Sequence, residues 1–179
     1  MSGSGDHHPS IPPPEGRAGV TVGGGLHTVP PAPSRPRVLV VDDNAQFRTV
    51  LRELLEDYDI DVVGEGASGF EAVELADHLM PDAVVMDLRM PEMDGIAAAR
   101  AIKHRRPRIQ VIILSAYDDS ALRVDARRAR VHSYLAKGSD PLLLRDAVME
   151  AWTVKSRMDT DARSPDGPAA LPNGRGLGS

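Results

Sequence analysis

Short apolar runs alternate with helical patterns between residues 37 and 154. Arg37-Val38-Leu39-Val40-Val41 is apolar after its first residue and stops at an acid, the pattern of a strand buried on both faces. Asn44 to Tyr58 then carries Phe47, Val50, Leu51, Leu54, Leu55 and Tyr58 on one helical face. Ile60 to Glu65 predicts a second strand. Ser68-Gly69-Phe70-Glu71 has the Ser-x-x-Glu form of a capping box and opens a helix to about Leu79. Asp82 to Met86 predicts a third strand running into Asp87, and Asp94-Gly95 starts a third helix to about Arg105, before Pro107 breaks the chain. Gln110 to Leu114 predicts the fourth strand. Asp118 or Asp119 caps a fourth helix to about Arg130, and Ser133 to Ala136 is a short fifth strand. Asp140 as N-cap with Pro141 in the first turn opens a fifth helix to about Val154. Regular alternation of this kind predicts a parallel sheet with right-handed crossovers and helices on both faces.

Composition sharpens this picture. Aromatic residues make up only 3% of the chain, so a core drawn from its 41% hydrophobic residues is built of Val, Ile, Leu and Ala, as suits a parallel sheet between helices. Residues 1–36 and 155–179 are rich in Gly, Pro and Ser and show neither period. Such segments bury too little apolar surface to offset the entropy of ordering, and two disordered tails flanking one domain, 37–154, are expected. The absence of cysteine excludes disulfides, thiolate zinc sites and thiol nucleophiles. A net charge of -5 weighs against a dedicated nucleic-acid binder. No apolar run approaches the roughly 20 residues of a membrane span, and the N-terminus lacks a basic start and an apolar segment. A cytoplasmic protein without a membrane partner is expected.

In an open parallel sheet, ligands bind at the carboxyl ends of the strands. The first strand ends in Asp42-Asp43, the third in Asp87 and the fourth in Ser115, while Lys137 follows the fifth. Three carboxylates at one edge repel each other, so some must be protonated or a cation must join them, and a hard divalent ion takes oxygen ligands. Such an ion neutralises an incoming phosphoryl group, which an aspartate carboxylate can attack as a nucleophile. Lys137 supplies a fixed positive charge for phosphoryl oxygens, and Ser115 a hydroxyl donor.

Four segments carry a family resemblance: Val40-Val41-Asp42-Asp43-Asn44, Met86-Asp87-Leu88-Arg89-Met90-Pro91-Glu92-Met93-Asp94-Gly95, Leu114-Ser115-Ala116-Tyr117, and Tyr134-Leu135-Ala136-Lys137. Over about residues 37–154 the chain resembles the receiver domains of bacterial response regulators in two-component systems. The resemblance implies a flavodoxin-like (βα)5 doubly wound sheet with strand order 2-1-3-4-5. It implies Asp87 as phosphoacceptor. It also implies Mg2+ (or Mn2+) held by Asp43, Asp87 and the backbone carbonyl of Arg89, with Asp42 acting through a metal-bound water. Ser115 resembles the switch hydroxyl, Tyr134 the switch aromatic, and Lys137 the lysine that pairs with the phosphoryl group. The implied donor is the phosphohistidine of a histidine kinase. The implied readout face runs from the fourth helix through the fifth strand to the fifth helix, where an unknown downstream protein binds.

The chain departs from the family at two places. Arg127-Arg128-Ala129-Arg130-Val131-His132 offers no Gly to end the fourth helix, and Gly138 stands where many members have a proline. The stretch after Lys137 is similar to the subgroup that usually precedes a helix-turn-helix domain, but the sequence after Val154 is too short and too rich in Pro and Gly for one, so no DNA-binding domain is expected.

Plainer readings stand beside these. Asp42 and Asp43 could be ordinary strand-end acids, Asp43 an N-cap; Ser115 a loop residue; Tyr134 a half-buried strand aromatic. Met86, Met90 and Met93 read as packing residues, and the histidines show no metal-ligand spacing. Arg100, Lys103, Arg105, Arg106 and Arg108, with Arg123, Arg127, Arg128 and Arg130, form either a basic face compensating nearby acids or a dock for an acidic partner. The function expected is a single-domain response regulator, a phosphoacceptor and not an enzyme acting on outside substrates. The alternative is a receiver-like interaction module that works without phosphate. A phosphatase of the haloacid-dehalogenase type needs a second Asp two residues after its nucleophile, and that position holds Arg89.

Overall fold

A computed structural model describes residues 35–116 and 120–162. The strands are β1 (Arg37–Val41), β2 (Asp61–Gly66), β3 (Ala83–Asp87), β4 (Gln110–Ser115) and β5 (Ser133–Ala136), all paired parallel in the order β2-β1-β3-β4-β5. The helices between and after them are α1 (Ala45–Asp57), α2 (Gly69–Leu79), α3 (Gly95–Arg105), α4 (Ser120–Arg128) and α5 (Pro141–Asp161). The doubly wound arrangement and strand order expected from the sequence are those observed.

Strand alternation divides the core between the two faces of the sheet. Leu39, Val41, Val84, Met86, Val111 and Ile113 point to one side, where they pack with Ala72 and Ala76 of α2 and Ala98, Ala99 and Ile102 of α3. Val38, Val40, Ala83, Val85, Ile112 and Leu114 point to the other, against Leu51 and Leu55 of α1 and Leu144, Val148 and Ala151 of α5. Small alanines on α2 and α3 let those helices lie close to the branched side chains of the sheet, and no ring is needed to fill the interior.

Local signals begin most of the helices. Asn44 caps α1 by accepting from the backbone N–H of Gln46 and Phe47, so the cap is Asn44 and not Asp43. Ser68 accepts from Glu71 N–H, while the Glu71 carboxylate takes the N–H of Ala67, a displaced form of the capping box. Asp94 caps α3 through Ala97 N–H, and Asp140 caps α5 ahead of Pro141. The caps expected at Asp118 and Asp119 lie outside the described residues, as do the tails before residue 35 and after residue 162.

Two boundaries differ from the sequence reading. α4 ends in a left-handed residue despite the lack of Gly. Arg130 takes φ 58°, its N–H bonds to Arg127 O, and Val131 N–H reaches back to Ala126 O, which together form a Schellman motif. α5 continues to Asp161, so the C-terminal tail does not begin at residue 155. Lys155 reaches Asp82 at the start of the sheet at 2.8 Å, Arg108 reaches Asp159 at 3.2 Å, and Gln110 Nε2 contacts Met158 Sδ. These long-range contacts order two turns that composition alone left outside the domain. Among the described residues no helix is long and apolar enough to cross a membrane.

Candidate functional site

The strand register brings the candidate residues together. Val41 pairs with Met86, Met86 with Ile113, and Ile113 with Tyr134, so these four form one row across the sheet. One step further along each strand lie Asp42, Asp87, Leu114 and Leu135. Ser115 and Ala136 form the next row, and Lys137 projects from just beyond it. Residues distant along the chain thus meet at one sheet edge because each apolar run stops at the same level.

Lys137 is the hub. Its ammonium donates to Asp42 Oδ2 at 2.6 Å and pairs with Asp87 Oδ1 at 2.8 Å, and its Nζ stands 4.4 Å from the centre of the Phe47 ring. Its backbone N–H is fixed to Ser115 O at 2.7 Å. The remaining carboxylate oxygens are held by the loops. Asp42 Oδ1 accepts from Asn44 N–H at 3.0 Å, and Asp87 Oδ2 from Arg89 N–H at 2.9 Å. Arg48 of α1 donates to the carbonyl of Asp42 at 2.6 Å and to Glu65 at 3.2 Å, tying the end of β1 to α1 and β2.

Glycine closes the floor of the site. A Cβ on Gly95 would stand 2.3 Å from the carbonyl oxygen of Asp87, so α3 can begin against the end of β3 only without a side chain there. Gly95 N–H then bonds to Leu88 O.

The electrostatics follow from burial. Asp42 is 1% exposed and Asp87 6%. Burial pushes the Asp87 carboxyl above its ordinary range; Lys137 opposes this, and Asp42 adds to it. Burial alone would lower Lys137, but its bonds to Asp42 and Asp87 win and hold it above the usual lysine value. Two buried carboxylates face one ammonium, which leaves a net negative hollow.

The expected meeting of three acids is only partly realised. Asp43 is exposed at the rim, and among the described residues no group of three or more His, Asp or Glu side chains is gathered closely enough to hold an ion. Lys137 bridges the two buried acids, Asp42 and Asp87. The donor set nonetheless fits a hard cation. It consists of the buried carboxylate oxygens of Asp42 and Asp87, two negative charges facing one ammonium.

Ser115 is buried at the end of β4, and Tyr134 is half-buried in β5, packed against the α2/α3 side of the core with the guanidinium of Arg123 4.9 Å from its ring centre. Much of the basic surface is compensated internally. Arg105 and Arg106 pair with Asp77, Arg108 with Asp159, and Arg128 with Asp125. Phe47 and Arg48 escaped the sequence reading as site residues. Phe47 was part of an apolar helical face, and Arg48 carries no motif.

Comparison with known proteins agrees with this geometry. The family model "Response regulator receiver domain" matches residues 38–149. Chemotaxis protein CheY of Thermotoga maritima is 37% identical over 112 residues, covering 63% of this chain and 93% of that protein. The protein-glutamate methylesterase/protein-glutamine glutaminase of Alkalilimnicola ehrlichii is 44% identical over 104 residues, covering 56% of this chain but only 26% of that protein. The response regulator protein VraR of Staphylococcus saprophyticus is 35% identical, and the match spans 60% of its length. Among solved structures, the signal receiver domain of the response regulator NarL from Mycobacterium tuberculosis superposes with a TM-score of 0.63 at 34% identity, over 68% of this chain and 98% of that one. A CheX-CheY-BeF3-Mg+2 complex from Borrelia burgdorferi contains a chain matched with a TM-score of 0.60 at 25% identity, over 65% of this chain and 88% of that one. By the extent of the family match and the sheet-edge geometry together, this chain belongs to the response regulator receiver domains of two-component signalling.

Proposed function

We propose that this domain accepts a phosphoryl group on Asp87 from the phosphohistidine of a histidine kinase and signals by a population shift. The single observation that carries the reading is the Lys137 ammonium, 2.6 Å from Asp42 and 2.8 Å from Asp87, at the carboxyl edge of the sheet. In the transfer, an Asp87 oxygen attacks phosphorus, the bond from phosphorus to the donor imidazole breaks, and an acyl phosphate forms. Asp43, Asp87 and the Arg89 carbonyl would hold Mg2+ or Mn2+, with Asp42 acting through a bound water. When bound, the ion supplies positive charge to offset that of the phosphoryl oxygens. Lys137 gives up its contact with the attacking oxygen and turns to a phosphoryl oxygen. The N–H of Arg89 keeps the other carboxylate oxygen oriented. A chain 25% identical to this one lies in a solved complex of CheX and CheY with BeF3 and Mg2+, which supports both the chemistry and the expectation of a protein partner.

Ser115, at the end of β4, donates to the phosphoryl group, and Tyr134 turns inward as it does so. The surface of α4, β5 and α5 then presents itself to a downstream protein. A bias of about 5.5 kcal/mol would carry the equilibrium from 1:99 to 99:1. In this role the chain is a phosphoacceptor and not an enzyme acting on outside substrates.

The test is chemical. With a small phosphodonor and Mg2+, the protein gains the mass of one phosphoryl group in a hydroxylamine-labile form, and Asp87→Asn does not. An unmodified wild-type protein under the same conditions would sink the reading and favour an interaction module that works without phosphate.

A further inference from the structure

Lys137 is held from three sides, and only two of them are carboxylates. The third is the ring of Phe47, on the first turn of α1, with Lys137 Nζ 4.4 Å from its centre. The chain beyond Lys137 turns at once, with Ser139 N–H bonded to Ala136 O at 3.1 Å. Gly138 turns away at φ +88°, and a Cβ there would meet nothing within 4 Å. The Lys137 side chain is only 21% exposed, and its ammonium sits among the two carboxylates and the Phe47 ring.

The three neighbours are not equivalent during phosphoryl transfer. One Asp87 oxygen becomes bonded to phosphorus and so loses its charge, and Asp42 would also serve a bound cation. The ring face changes neither charge nor bonding. It attracts a cation through its quadrupole and excludes water from that side. Phe47 is itself fixed. Its backbone N–H is held by the Asn44 cap at 3.2 Å, and its ring packs with the α1/α5 side of the core and lines an apolar groove with Val50, Leu54, Leu135 and Pro141. Lys137 lines the same groove, so α1 and the end of β5 meet through this pair.

We propose that Phe47 is a positioning residue for phosphoryl acceptance: its ring face keeps the Lys137 ammonium at the mouth of the site while the carboxylates exchange partners. This rests on Asp87 being the phosphoacceptor.

The full chain tests it with three proteins: wild type, Phe47→Leu and Phe47→Tyr. Leucine keeps the apolar packing and removes the ring; tyrosine restores the ring. Two quantities are measured, the maximal rate of phosphorylation by phosphoramidate with Mg2+ and the proton shifts of the Lys137 ε-methylene. Protons over an aromatic face resonate upfield, so the shift reports the contact without reference to activity. The inference expects an upfield ε-methylene in wild type and Phe47→Tyr, lost in Phe47→Leu. It also expects the Leu variant to be about fivefold slower, equivalent to about 1 kcal/mol at the barrier, with the Tyr variant near wild type. Wild-type rates in Phe47→Leu, or equal slowing of both variants, overturn it. A wild-type chain that takes no phosphoryl group at all instead identifies the reading of Asp87 as the part that failed.

Discussion

Among single residues, the strand-end acids and Lys137 were legible because each follows an apolar run that stops at a charge. Their partners were not. Lys137 and Asp42 lie 95 positions apart, and only the register says that one ammonium bridges two carboxylates. The same limit applies to His132, just before β5. Its sequence context marks nothing, yet its Nε2 is buried without a hydrogen-bond partner, and Glu150 is 3.9 Å away. Burial lowers its pKa from the ordinary 6.5; Lys103 adds to this, and Glu150 opposes it. The unfolded chain therefore takes up a proton before the folded one does. This contribution to stability is whole above pH 6.5 and is lost as pH falls below that value. Thermal melts between pH 5 and 8 are expected to show the loss, and His132→Gln to shrink it. An identical slope in the variant would show that His132 is not its source.

At the level of elements, most helix starts were readable, since capping residues act within one turn. Helix ends were harder. The missing Gly after the fourth helix suggested a different termination, but the chain adopts the left-handed cap with Arg130 at φ 58°. Backbone bonds from Arg130 and Val131 outweigh the steric cost of a side chain there, which is about 1–2 kcal/mol for a residue with a Cβ. Arg130→Gly should therefore raise stability by about 1 kcal/mol in urea unfolding. It should also let Lys103, held down to about 8 by burial and by the charge of Arg130, titrate at higher pH. A less stable variant would mean that the arginine side chain contributes more than its backbone strain costs.

Across the whole molecule, the clearest revision is the length of α5. Its last turns matter because Lys155, 73 positions after Asp82, meets that buried carboxylate at 2.8 Å, where Asp82 also accepts the N–H of Arg37 at 2.8 Å. Removing one member of a buried ion pair leaves the other uncompensated, at a cost of about 3 kcal/mol. A chain ended after Val154 should be less stable by about that amount than one ended after Ala162, and Lys155→Met in the longer chain should reproduce most of the difference. Equal midpoints in denaturant would show that the pair contributes nothing. The division between sequence and structure follows the range of the forces involved. Periodicity, caps and the acid at the end of each apolar run act over a few residues, so the sequence by itself determined the β-α order, the doubly wound class and the candidate acids, hydroxyl and lysine. Which charges touch, which acid stays at the rim, which ring faces the lysine and where the last helix stops were decided only by tertiary packing. Each of these is a contact between segments distant along the chain, and no local pattern encodes it.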